Sequence, residues 1–247
     1  YRNEDPAIFV DAMDFWDEQR GLAMGDPIGG RFVLMGTQDG GRTWQDLPER
    51  SRPAAAEGEA GFAASGSCLR VGSQGRAWFG SGGTQARVFR SLDYGETWTA
   101  TSVPVDTGEG RGVFSLAFDA EGQRGFAVGG DYRKEGEAGL NFAFTEDGGQ
   151  TWTVPDSSRL SGFREVVSFR PGRADQELFI LGPSGYERSV DGGVTWVGEA
   201  LALRYHTLDA SPDGASVWAV GAEGAFARWV DGGDSNAFVG RRLRPTR

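Results

Sequence analysis

The chain has 247 residues, 38% hydrophobic and 12% aromatic with eight Trp, so it can bury a substantial core and does not have the composition of a disordered chain. Its 40 glycines, about twice the usual share and without collagen period, ask for many tight turns, and no apolar run nears the ~18 residues that cross a bilayer. A net charge of −10 disfavours duplex nucleic acid, and a single Cys (Cys68) with a single His (His206) cannot form an internal disulfide or an ordinary zinc site.

Five units of short β runs follow one another, at about 9–48, 61–103, 112–156, 164–199 and 205–240. The first closes on TQDGGRTW (37–44) and the second on SLDYGETW (91–98). The third reads GVFSLAFD (112–119), RGFAVGGD (124–131), LNFAFTED (140–147) and QTWTVP (150–155), with TEDGGQTW at 145–152. The fourth reads REVVSF (164–169), ELFILG (177–182), YERSVD (186–191) and VTWVG (194–198), with SVDGGVTW at 189–196. The fifth carries a weaker copy, WVDGGDSN (229–236), which keeps Asp231 and Gly233, has Ser235 for the threonine, and lacks the first hydroxyl and the tryptophan. A degenerate fourth strand is expected there.

The repeated box is S/T-x-D-x-G-x-T-W. Its Asp-to-Asp steps of 54, 54, 44 and 40 residues match one four-stranded unit each. Asp and Ser/Thr side chains can bond the backbone of a turn, glycine supplies φ > 0, and the Trp anchors the unit between neighbouring sheets. Asp39, Gly41, Trp44, Asp93, Gly95, Trp98, Asp147, Gly149, Trp152, Asp191, Gly193 and Trp196 are therefore read as structural rather than catalytic. The predicted fold is all-β: a single β-propeller domain over 1–247 with five blades of four antiparallel strands joined by these turns.

These are the Asp-boxes of sialidase-like and related propellers. Together with 9–44, FAASGSCL (62–69), ARVFRSLDYGETW (86–98) and FAVGGDYRK (126–134), they make the whole chain resemble bacterial homologues of the photosystem II stability/assembly factor family. The resemblance implies a propeller of about seven blades, of which five are seen here. It also implies export to the periplasm or beyond, with which the Tyr1 start agrees. A protein partner is expected, and a membrane-protein assembly intermediate if the role carries over.

Strand alternation puts the box turns at one end of the blades and the longest loops, 46–61 and 132–139, at the other. Arg111, Arg164 and Arg204 fall near the start of three innermost strands and are expected to converge on the channel mouth. Glu165, Tyr205, His206 and Asp11 fall beside them, while Asp26, Asp131 and Arg133 lie in loops at the same end. The arginines suggest a site for an anionic small ligand or acidic peptide, because a guanidinium offers a planar donor fork to carboxylate or phosphate.

The rival reading is a sialidase-like glycoside hydrolase or acidic-sugar binder, with the arginines gripping a substrate carboxylate and Tyr205 with Glu165 as nucleophile and partner. The F-R-P at 169–171 resembles the sialidase arginine motif, but Arg170 falls at the box end. Gly80-Ser81-Gly82-Gly83 lacks the last glycine of a dinucleotide fingerprint, and no D-x-D-x-D-G loop is present, so no cofactor and no metal is expected. The basic tail RRLRPTR (241–247), with Arg241, Arg242, Arg244 and Arg247, is expected to be a frayed end.

Overall fold

A computed structural model describes residues 6–154, 160, 162–173, 176–232 and 237–242. The first blade is Val10–Phe15, Gly21–Ile28, Arg31–Thr37 and Gln45–Asp46, paired in that order. The second is Leu69–Gly72, Arg76–Gly80, Arg87–Ser91 and Thr99–Ser102. The fourth is Val166–Phe169, Leu178–Gly182, Gly185–Ser189 and Val197–Glu199, and the fifth is Tyr205–Ala210, Val217–Gly221, Ala225–Val230 and Ala237–Arg242. Every strand pair is antiparallel, and among the described residues no helix is long and apolar enough to cross a membrane.

The third blade is different. Gly108–Phe118, Gly125–Asp131 and Phe142–Thr145 form three full strands, while the expected fourth is reduced to one bridge, Phe144 to Thr153. Two short strands, Glu59–Ala60 and Gly82–Gly83, join its inner edge and make a five-stranded sheet. The Gly82 glycine is needed there: a Cβ would lie 2.3 Å from the Arg111 carbonyl oxygen. The 80–83 glycine run thus serves backbone approach between strands.

Three further expectations need correction. The first strand of the second unit starts at Leu69, because 61–68 runs as a connection across the mouth. The fourth strand of the fifth unit is complete, pairing from Ala237–Val230 to Arg242–Ala225. It holds without a box tryptophan because Phe238 packs edge-on against Trp229 and Tyr186. Arg241 and Arg242 therefore belong to a strand rather than a frayed tail, and Arg242 pairs with Glu223. Gly233, Ser235, Arg244 and Arg247 lie outside the described residues.

The box turns repeat atom for atom. In the first, the Thr37 hydroxyl donates to Asp39 at 2.9 Å and accepts from the Gly41 amide at 3.0 Å. Asp39 then accepts from the Thr43 amide at 2.9 Å and the Thr43 hydroxyl at 2.6 Å. The same set recurs around Asp93, Asp147 and Asp191. The Thr43 and Thr195 bonds hold the Asp39 and Asp191 pKa down at about 2. Both carboxylates are acceptors locked into their turn.

In the fifth blade the missing hydroxyl is replaced by an indole. Trp229 occupies the Ser/Thr position, and its Nε1–H donates to Asp231 at 2.8 Å. Arg170 of the fourth blade supplies two more bonds to that carboxylate, at 3.1 and 2.9 Å, and also pairs with Glu177. Arg170 is thus buried at the box end, where the sequence placed it.

Each seam between blades is an apolar layer. Trp98 joins Leu22, Met24, Phe32 and Leu34 of the first blade, and Trp152 joins Trp78 and Val88 of the second. Trp196 sits edge-on to Phe126 and Phe142 of the third. Trp44 packs within its own blade, over Ala23, Val33 and Met35. The three seam tryptophans bury a large ring where two sheets must stay in register, the main contribution a half-buried aromatic can make.

Candidate binding mouth

Hydroxyls tie the 61–68 connection to the innermost strands of the third, fourth and fifth blades. Ser65 and Ser67 Oγ lie 2.5 Å apart, Ser67 and Ser115 Oγ 2.7 Å apart, and the Val167 amide donates to Ser115 Oγ at 3.0 Å. Thr207 of the fifth blade donates to the Ser65 carbonyl at 3.3 Å. Blades three to five are thereby linked through that connection.

Arg111, Arg164 and Arg204 do not form one cluster. Arg111 lies opposite Asp131 in strand register and donates to it at 3.0 Å. Arg133 also bonds Asp131, and it pairs with Glu109 at 3.0 Å. Burial works against the Asp131 carboxylate, but the Arg133 amide and the two guanidinium groups outweigh it and keep its pKa below the ordinary value. Arg204 reaches Glu135 in the 132–139 loop at 2.9 Å.

Arg164 departs most from expectation. Its side chain is fully buried and forked onto Glu187 with two 2.6 Å bonds, and it also donates to the Phe163 carbonyl and Ser184 hydroxyl. A guanidinium without access to water needs a carboxylate of its own, and Glu187 on the third strand is within its reach. Arg164 is therefore part of the fourth blade's interior and has no free donor fork for a ligand.

Glu165 and His206 meet across the fourth and fifth blades, with Nδ1 2.8 Å from the carboxylate. Burial raises the Glu165 pKa, and His206 opposes that shift. Tyr205 turns away from this pair. Its ring lies in the core with Tyr186 and Trp229, burial raises its pKa, and its hydroxyl sits over the Gly240 Cα. The tyrosine and the glutamate named for glycosidic chemistry are thus on opposite sides of the strand start.

On the first blade, Asp11 is 6% exposed, and its Oδ2 has no hydrogen-bond partner. Asp26 accepts from the Gly61 amide at 3.0 Å, clamping the end of the 46–61 connection. Burial first, and the Asp26 charge second, push the Asp11 pKa up to about 7. Cys68 lies deep beside Met24, its thiol pushed up to about 12 mainly by burial, so it is unreactive.

Sequence reasoning missed the aromatic surface. Phe62 stacks on Phe114 with centroids 3.8 Å apart, Phe163 meets Phe114 edge-on at 4.7 Å, and Tyr132 completes the group at 6.3 Å. Tyr132 is 50% exposed and rests over Gly110, where a Cβ would come within 2.9 Å of its ring. The available signal was an aromatic residue in the insert that follows Asp131. The mouth therefore presents an exposed tyrosine on an aromatic bed, flanked by the Arg111–Asp131–Arg133 and Arg204–Glu135 pairs. Among the described residues no group of three His, Cys, Asp or Glu is arranged to hold a metal ion.

Neither a known family profile nor a curated protein matches the chain. Solved structures do. A structure of YCF48 bound to D1 peptide superposes with a TM-score of 0.59 at 18% identity, over 90% of this chain and 63% of that one. The fold is that of a β-propeller. YCF48 from Cyanidioschyzon merolae gives 0.56 at 17% identity, covering 96% of this chain and 73% of that one. A GH74 enzyme from Niastella koreensis gives 0.64 at 16%, covering 94% and 37%. The chain thus spans less than two thirds of the first and third of these structures. The assembly-factor resemblance read from the sequence is matched by fold, and propeller enzymes share that fold equally.

Proposed function

We propose that the protein is a non-enzymatic scaffold that holds a polypeptide segment of a partner across its mouth. The observation that carries this reading is Tyr132, half exposed over Phe114 and flanked by Arg111 and Arg133. Exposed aromatics beside arginines are the side chains that dominate protein-binding surfaces. The similar YCF48 structure carries a peptide, which supports the same class of ligand here. A membrane-protein assembly intermediate is the partner class that likeness suggests.

The glycosidase alternative is less well supported by the geometry. Arg111, Arg164 and Arg204 each bond their own carboxylate, and Tyr205 is buried. Selection of phage-displayed peptides against the immobilised full chain tests the proposal. Enriched peptides should bind the wild type and lose at least about tenfold in affinity to Tyr132→Ala, with the melting temperature unchanged. No enrichment, equal binding by the variant, or turnover of a chromogenic glycoside by the wild type would refute it.

A further inference from the structure

The second box breaks its own rule at one position. Where the first, third and fourth boxes place Gly40, Gly148 and Gly192 at φ of 72°, 72° and 74°, the second places Tyr94 at 61°. A tyrosine in the left-handed region is disfavoured, and glycine does the same job in the three sister turns. The ring itself is well placed. It lies against Gly75, meets Trp16 edge-on at 5.3 Å, carries the Arg20 guanidinium 4.2 Å from its centroid, and is 42% exposed.

Tyr94 and Trp16 stand on the wall of a groove between the first two blades, at the end opposite the mouth. The groove holds about 650 Å³, and its wall also includes Arg20, Gln38, Asp46 and Glu96. A second hollow of about 400 Å³ continues past the two rings toward Gln74. Asp39 and Asp93 are occupied by their own turns. Asp46 and Glu96 are not: both are exposed, and no ion pair reaches either of them among the described residues. At the mouth, by contrast, Asp131, Glu135, Glu165 and Glu187 each have a basic partner.

We propose that this groove docks an arginine-bearing segment of a partner protein, laid along Trp16 and Tyr94 and neutralised by Asp46 and Glu96. Aromatic rings beside unpaired carboxylates suit a guanidinium, which can stack and donate a charge-assisted fork at once. Arg20 over Tyr94 is an intramolecular example of the same contact. The chain's net charge of −10 draws such a segment in, and the groove decides where it stays. This site is separate from the mouth and does not depend on what binds there.

The test is fluorescence anisotropy of a labelled hexa-arginine peptide with the purified full chain at about 150 mM salt. The wild type should bind, and Tyr94→Gly should bind about tenfold more weakly while still melting cooperatively, since its sister boxes use glycine there. Asp46→Asn with Glu96→Gln, which leaves the turn intact, should weaken binding comparably. Glu57→Gln, an exposed carboxylate remote from the groove, should change nothing. Absence of hexa-arginine binding overturns the proposal. So does wild-type affinity in either groove variant, which would mean diffuse attraction to an acidic surface, or a preference for a neutral oligosaccharide over the peptide.

Discussion

The two ends of the blades solve the same problem in different ways. At the box end, the first four turns each satisfy their polar groups within seven residues: Thr37, Asp39, Gly41 and Thr43 bond one another, and so do their counterparts in three further blades. At the mouth, the partners come from far along the chain. Arg111 bonds Asp131, Arg164 bonds Glu187, Glu165 meets His206 and Arg204 reaches Glu135, over separations of 20, 23, 41 and 69 residues. Local satisfaction makes an end repetitive and indifferent to its neighbours. Distant satisfaction makes it particular to one fold, which is where recognition can be built.

Three measurements would sharpen or break this contrast, and the largest effect belongs to the mouth. Glu187→Ala leaves the Arg164 guanidinium buried without its carboxylate and should cost about 3–5 kcal/mol in urea unfolding. A loss below about 1 kcal/mol would mean that Arg164 reaches water and that the mouth is less committed than its geometry implies.

Asp11→Asn should act next, and with a pH signature. Its folded pKa of about 7 lies above the ordinary 3.8, so the folded chain keeps a proton that the unfolded chain has released. Stability should therefore fall as pH rises from about 4 to about 7 and then level off. Asp11→Asn should flatten that slope, raising the melting temperature at pH 8 and leaving it nearly unchanged at pH 4. An identical profile in the variant would remove Asp11 from the account.

The box end should respond least per residue, and at the opposite end of the pH scale. Asp191, with a folded pKa of about 2 against 3.8, contributes stability that is present above the higher value and is lost as pH falls toward the lower one. Asp191→Asn should shrink the acid loss of melting temperature between pH 4 and 2, and salt should screen part of the difference. A variant that titrates like the wild type would show that protonation of Asp191 is not what destabilises the protein in acid.

The same contrast explains what was legible in the sequence. The boxes could be read because every bond of Asp39 or Asp147 connects residues that are neighbours in the text. Strands such as Leu178–Gly182 could be read for a similar reason, since a buried central strand is a continuous apolar run. Arg164 could not be placed, because its fate depends on Glu187, a residue on another strand that alternation alone does not turn inward. The Phe62–Phe114 stack needed two connections to fold before its members met. The fifth blade misled in the other direction: the text shows a damaged box, while Trp229 Nε1 and Arg170 restore the lost bonds from chemistry that the repeat does not contain.

The placement of the seam tryptophans also sets a direction. Trp98, Trp152 and Trp196 each pack against the blade that precedes them in the chain, and Trp229 with Phe238 does the same on Phe179. During synthesis, each blade therefore leaves the ribosome carrying the wedge for a socket that is already complete. Each of these seams can therefore close as soon as the later blade emerges, so the molecule can assemble vectorially, one blade upon the last.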